Sequence, residues 1–299
     1  MNMKPKVLTG YKDEITTQCE RVLISLLRGF GPWKKSVFLV GGLAPRYLAP
    51  SRPPGAIHAG TGDVDLVVDM AILTEVDAYH TLESNLKNMG FERAENQQGK
   101  KVNWRWKAPI ESGAAIVLEF LAFDPKLGGG KVQELPTEGN VSAINIPHAS
   151  MVFDLHKKID VTAELLNGDG KTTETIAYAD IVSFTCLKAF AFDQRGERKD
   201  AHDLVFCLEN IDGGVPGAAE AFREALEGKH QDAVRAALDI LRKRFCDDDE
   251  TEGFEKDGPT SLANFEIEGI EPEDREARVL RSRQASDLVT SLLKMIAGK

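Results

Sequence analysis

The sequence predicts an α/β (α+β) protein: a mixed sheet flanked by helices over residues 1–175, then a mostly helical region over residues 176–299. Three observations predict it. The first half carries short apolar runs bounded by Gly/Pro-rich turns, which is the length and punctuation of strands. One of these runs, Ala115–Phe123 (AIVLEFLAF), is almost continuously apolar, as expected of a central strand buried on both faces. From Asp180 onward, apolar residues recur instead at helical spacing.

Taken in order, Ile15–Leu27 places Ile15, Cys19, Val22, Leu23, Leu26 and Leu27 on one helical face, and Gly29 and Gly31-Pro32 end it. Val37–Val40 reads as a short buried strand and Leu43–Leu48 as a helical turn or two. Ala49–Gly62 holds three prolines and three glycines and reads as a loop. Val64–Val68 is the next strand. Glu75–Met89 is an amphipathic helix, with Val76, Tyr79, Leu82, Leu86 and Met89 on one side and Gly90 as its stop. Val102–Lys107, Ala115–Phe123, Val141–Ile146 and Lys158–Leu165 follow as strands, and another segment ends near Tyr178. Asp124–Gly139 is a Gly/Pro-rich loop. Ile181–Phe192 and Lys199–Leu208 are helical runs, separated by Gly213–Gly217 from a further helical stretch, Ala218–Cys246. A last helix over Pro272–Ile296 opens with Pro-Glu-Asp, which suits the positive end of a helix dipole.

Composition bounds the function. At 299 residues the chain buries a sizeable core, and 42% hydrophobic with 28% charged residues is ordinary for a globular protein. The net charge of −10 argues against broad duplex binding, which needs a basic face to release counterions, but leaves room for a local basic groove. The acidic run Cys246–Glu255 reads as a solvated loop. Cys19, Cys186, Cys207 and Cys246 form no C-x-x-C pair, which fits a reducing cytoplasm. No apolar run reaches membrane-spanning length, and the polar N-terminus reads without a targeting segment.

The chemistry concentrates in VFLVGG, ending at Gly41-Gly42, and in TGDVDLVVD, which contains Asp63 and Asp65. Side chains two apart on a strand share a face, with about 7 Å between them at the backbone. Two carboxylates so placed suit Mg²⁺ (or Mn²⁺), which takes oxygen ligands and keeps open positions for a phosphate. Bare glycine backbone lets a phosphate approach closely. A two-metal phosphoryl transfer needs a further carboxylate, and Glu119 is the candidate because a lone carboxylate in an apolar strand is costly unless paired or metal-bound. The competing assignment for Glu119 is an ion pair with Arg105. Downstream, Lys188 and Arg195 lie seven residues apart on one helix face, Lys199 and Asp203 are i,i+4, and Asp200 and Asp203 are i,i+3. Cations here suit the phosphates of an NTP, whereas read alone they are helix-surface ion pairs.

The apolar strand ending in GG, the D-h-D-h that follows and a carboxylate on a later strand resemble the nucleotidyltransferase superfamily of the DNA-polymerase-β type. The segment K-A-F-x-F-D-x-R-x-x-x-K-D-x-x-D-L over Lys188–Leu204 is similar, more narrowly, to the AbiEii/AbiGii-type toxins, including the MenT group. The resemblance covers Val37 to Leu208. It implies that Gly41 and Gly42 cradle phosphate, with Thr61 a further nucleotide contact, and that Asp63 and Asp65 bind Mg²⁺. It also implies that Lys188 touches the triphosphate, that Asp203 is the late acidic residue needed for activity, and that Arg195 and Asp200 support them. Two departures are present: Gly42 stands where family members often have Ser, and the insertion Pro50–Gly62 lengthens the glycine-to-aspartate spacing. The insertion leaves open whether Arg46, Arg52 or Thr61 reaches the site.

Other residues read more plainly. Trp104 and Trp106 favour core packing over base stacking. The six histidines lack zinc-site spacing, and His58 alone lies close in sequence to the aspartates. No G-x-x-x-x-G-K-[ST] loop is present, which argues against a P-loop enzyme. The leading expectation is a Mg²⁺-dependent nucleotidyltransferase moving NMP from an NTP to an RNA acceptor, such as a tRNA 3′ end. The resemblance implies that it acts as the toxin of a toxin–antitoxin or phage-defence system beside a cognate antitoxin. Arg93, Lys100, Lys101, Arg105 and Lys107 are the candidates for an RNA groove. The alternatives are a small-molecule nucleotidyltransferase of the antibiotic-modifying type and a non-catalytic nucleotide-binding protein of the same fold.

Overall fold

A computed structural model of the chain describes residues 5–73, 82–96, 98–109, 115–136 and 139–298. Along the chain these residues form helix α1 (Asp13–Phe30), strand β1 (Val37–Val40), the short helix α2 (Pro45–Leu48), strand β2 (Asp63–Val68), and helices α3 (Met70–Leu73) and α4 (Leu82–Asn88). Strands β3 (Glu92–Glu95), β4 (Lys101–Pro109), β5 (Ala115–Ala122), β6 (Val132–Glu134) and β7 (Ser142–Asn145) come next. After helix α5 (Met151–Asp154) come strands β8 (His156–Glu164) and β9 (Lys171–Ala179). The rest is helical: α6 (Ile181–Arg195), α7 (Arg198–Asn210), α8 (Gly214–Leu226), α9 (Gln231–Phe245), α10 (Asp257–Glu266) and α11 (Pro272–Ile296). This is the mixed α/β class with a helical C-terminal region that the sequence predicts.

The chain divides into two compact units. One comprises Asp13–Ala44 and Gly60–Ala179; the other gathers Asn2–Lys12, Pro45–Ala59 and Asp180–Lys299. The sequence places a single boundary at residue 175. The structure puts it at Ala179, and assigns the Pro-rich segment 45–59 to the helical unit although sheet residues flank it on both sides.

In the sheet unit the strand order is β3-β4-β5-β2-β1-β9-β8, with β7 paired to β5 and β6 to β7. Strand β2 runs parallel to β5 and antiparallel to β1. Strand β4 covers the first part of β5, and β7 takes over at Leu121 and Ala122. The sheet has two unlike faces, because side chains alternate along a strand. Val64, Leu66, Ile116, Leu118, Phe120 and Trp106 are fully buried on one of them. Helix α1 supplies the cover: Cys19, Val22, Leu23, Leu26 and Phe30 are buried, and the Phe30 ring lies 6.4 Å from that of Phe120. The other face carries Asp63, Asp65, Arg105 and Glu119, all partly exposed.

Strand β5 therefore corrects one expectation. Ile116, Leu118, Phe120 and Ala122 are buried, but Val117, Glu119 and Leu121 are only half-buried, so the strand is central without being enclosed on both faces. Beside Val117 and Glu119 its neighbours on the second face are the charged Asp63, Asp65, Arg105 and Lys107, which an apolar count along one strand does not reveal. Helix Glu75–Met89 is described only from Leu82, where α4 runs to Asn88; Val76 and Tyr79 lie outside the described residues.

In the helical unit, α6 and α7 form a hairpin. Gly196 makes its corner with a left-handed backbone (φ 64°), and its N–H bonds the Phe192 carbonyl at 2.8 Å. Asp180 caps α6 by accepting from the Ser183 N–H at 2.9 Å. The stretch expected as one run, Ala218–Cys246, is two helices, α8 and α9, and α8 already begins within the Gly213–Gly217 segment read as a separator. Helix α11 matches its predicted span and carries a capping box between Glu271 and Asp274.

Candidate active site

The GG and DVD motifs meet in the sheet unit. Strand pairing sets Val40 opposite Asp65, so the turn through Gly41 lies beside the start of β2. Gly41 has a φ of +70°, and a Cβ built on it would land on Oδ2 of Asp65. Only glycine satisfies both the left-handed backbone and this approach. Asp63 and Asp65 share one face of β2, flanking the buried Val64. Burial, with the charges of both carboxylates added, pushes the Cys19 thiol up, so the two negative charges act on one neighbourhood beneath the turn.

Thr61 is a structural part of this corner. It is buried; its hydroxyl accepts from the Asp63 N–H at 3.1 Å, and its own N–H donates to the Thr16 hydroxyl at 3.0 Å. These bonds set the entry of β2. Glu119, expected as a third metal ligand, is held by Arg105, the residue opposite it on β4, whose Nε and Nη2 both donate to Oε1, the former at 2.7 Å. The guanidinium also lies 5.0 Å from the Trp104 ring. Trp106 is buried and donates to the Asn103 carbonyl at 3.1 Å, a core role. Gly42 continues the tight turn Gly41–Leu43.

The second group of candidates lies in the helical unit, where burial replaces the surface ion pairs that local spacing allows. Asp203 is 0% exposed, Asp200 1% and Lys188 8%. Lys188 Nζ donates to Asp203 Oδ2 at 2.6 Å and to Asp200 Oδ1 at 3.0 Å. Arg195 grips Asp200 with Nε at 2.6 Å and Nη2 at 2.8 Å, and Lys199 Nζ reaches Asp203 Oδ1 at 2.7 Å and Oδ2 at 2.8 Å. His58, from segment 45–59, adds a bond to Asp203 Oδ1 at 2.9 Å.

The electrostatics follow from this crowding. Burial works to raise the Asp203 carboxyl, but Lys188, Lys199 and the His58 hydrogen bond outweigh it and hold the group well below the usual carboxylate range. Burial pulls Lys188 down, yet Asp203 and Asp200 prevail and hold it above an ordinary lysine. For Lys199 burial wins and the ammonium is lowered, against the pull of Asp203 and with Lys188 adding to the loss. Burial likewise lowers His58, to about 4, against its bond to Asp203.

His58, His202 and Asp203 place ligand atoms within 4.8 Å of one another, the only such group among the described residues. Their hydrogen bonds account for the grouping without a metal. His202 Nε2 accepts from the Ala59 N–H at 3.2 Å, which leaves the proton on Nδ1 for Glu266 Oε1 at 2.8 Å. His58 Nε2 donates to Asp203. Arg281 closes the chain of contacts by binding both Glu266 and Glu209. Sequence reasoning missed His202, Glu266 and Arg281, because each partner lies on a different helix and no local spacing announces them.

The donor set fits Mg²⁺ at Asp63 and Asp65: two carboxylates on one strand face beside a side-chain-free turn. No protein-family model matches the chain, and no curated protein matches it.

Proposed function

We propose that the chain is a Mg²⁺-dependent nucleotidyltransferase that moves NMP from an NTP to an acceptor hydroxyl and releases pyrophosphate. The observation that carries this reading is the Gly41–Asp65 contact: a bare turn pressed against one of two carboxylates on the same face of β2. Such a corner suits a metal-bound triphosphate better than it suits packing, since burial alone would favour apolar side chains.

Asp63 and Asp65 hold the metal. When bound, Mg²⁺ (or Mn²⁺) supplies charge neutralisation on the triphosphate and acidifies an acceptor hydroxyl. On the resemblance, Lys188 contacts phosphate with Arg195 in support, and Lys199 is the third cation of their cluster. Asp200 and Asp203 orient those cations. The orienting role of Asp203 is supported by its oxygens, which accept from two lysines and a histidine, and by its carboxyl, which is held well below the usual carboxylate range.

The resemblance to the AbiEii/AbiGii-type toxins supports an RNA acceptor, a tRNA 3′ end first, and a cognate antitoxin as partner. Four buried free cysteines fit a reducing cytoplasm, and no helix among the described residues is long and apolar enough to cross a membrane. The test is label transfer from each α-labelled NTP to total RNA, with an aminoglycoside as a parallel acceptor. Wild type labels RNA, and Asp63→Ala and Asp65→Ala lose the signal by at least ~100-fold. Equal transfer by Asp63→Ala overturns the reading, and label only on the aminoglycoside moves the acceptor to small molecules.

A further inference from the structure

The Pro-rich segment 45–59 is tied to helix α7 at its last two residues. His58 donates from Nε2 to Asp203 Oδ1, while the N–H of the next residue, Ala59, donates to His202 Nε2. Two consecutive residues of the segment are thereby tied to two consecutive residues of α7. The His58 ring is held on its faces as well, stacked on His202 at 5.4 Å and tilted against Phe206 at 4.9 Å. His202 is in turn held by Glu266.

We infer that His58 is a positioning residue, which acts through Asp203 to set the spacing of Lys188 and Lys199 for a triphosphate. The inference rests on the reading of those lysines as phosphate contacts. A carboxylate rotates readily about its last side-chain bond. Lys199 donates to both oxygens of Asp203 and so does not fix that rotation, and Lys188 holds only Oδ2. His58 supplies the third direction, on Oδ1. It also does so as a neutral donor. Lys188, Lys199 and Arg195 are the cations that Asp200 and Asp203 hold together. A cation at 58 would hold Asp203 equally well but would add repulsion to both lysines.

The experiment is calorimetric titration of the full chain with inorganic tripolyphosphate in Mg²⁺ buffer, for wild type, His58→Ala, His58→Gln and His58→Phe. Gln returns an N–H near the position of Nε2, whereas Phe returns the ring volume without a donor. The expected result is binding by wild type, a loss on the order of tenfold in His58→Ala and His58→Phe, and near-wild-type affinity in His58→Gln. Rescue by Phe as good as that by Gln makes the residue a packing element and overturns the inference, as does unchanged binding in His58→Ala. If His58→Ala does not fold, the Gln and Phe pair decides alone. No binding by wild type removes the phosphate reading of the lysines and this inference with it, a result distinct from binding that ignores residue 58.

Discussion

Gly41 and Asp203 illustrate two ways in which a single residue is constrained. Gly41 has no freedom to gain a side chain, since a methyl group would strike the Asp65 carboxylate and the backbone is left-handed. Gly41→Ala is expected to cost about 1–3 kcal/mol of stability and most of the metal-dependent activity. Gly90→Ala, at φ +84° with open space around it, should cost only the backbone strain of about 1 kcal/mol and leave activity intact. Urea unfolding and the transfer assay on both variants check this; equal effects would mean that the contact with Asp65 is irrelevant. Asp203 is constrained instead by what it neutralises. Asp203→Asn keeps the shape but leaves Lys188 and Lys199 short of a counter-charge in a buried setting, and should destabilise by about 3–5 kcal/mol. A variant that melts within about 1 kcal/mol of wild type would show the network to be dispensable.

Among the elements, the corner between α6 and α7 decides whether the ion cluster forms. Lys188 and Arg195 belong to one helix, Asp200 and Asp203 to the next, and Gly196 turns the chain between them. Gly196→Ala should cost about 1–2 kcal/mol through its left-handed backbone, since nothing crowds its Cβ position. Nuclear magnetic resonance of the Lys188 ammonium should show the same environment as in wild type, because the strain is local; a changed signal would contradict a purely conformational cost. Legibility of the elements followed their end signals. Helix α11 is readable at its start because Pro272, Glu273 and Asp274 mark its first turn. The start of helix α8 and the whole of α10 are hard to read in the sequence for one shared reason. Their first turns contain Gly214-Val215-Pro216 and Asp257-Gly258-Pro259, which read as breakers, yet the first turn of a helix needs no N–H from proline. At the site, the common face of Asp63 and Asp65 follows from strand period alone. The pairing of Glu119 with Arg105 depends on the β4–β5 register, and the His58 contact on the full fold.

At the scale of the whole molecule, buried titratable groups tie stability to pH. His58 has its pKa lowered from 6.5 to about 4, chiefly by burial, so the unfolded chain takes up a proton that the folded chain refuses. Stability is full above 6.5 and falls as pH drops from 6.5 to 4, by about 3 kcal/mol across that window. Glu266 is subject to burial, which raises it, but His202 and Arg281 hold it at about 2, so its contribution is present above 4.5 and is lost as pH falls toward 2. Unfolding free energies of wild type and His58→Gln, compared from pH 7 to 4.5, should show the steeper decline in wild type; parallel curves would refute the assignment. The route of the chain carries a last consequence, for synthesis rather than for the finished protein. Segment 45–59 leaves the ribosome well before the helix it binds, since Asp203 follows His58 by 145 positions. At roughly 5–20 residues per second this interval lasts about seven to thirty seconds. Throughout it the Ala59 N–H and the His58 ring, bound to His202 and Asp203 in the completed unit, wait on the nascent chain for that helix. Ribosomes stalled before α7 should therefore present this segment to protease or chaperone, and ribosomes stalled well beyond α11 should not.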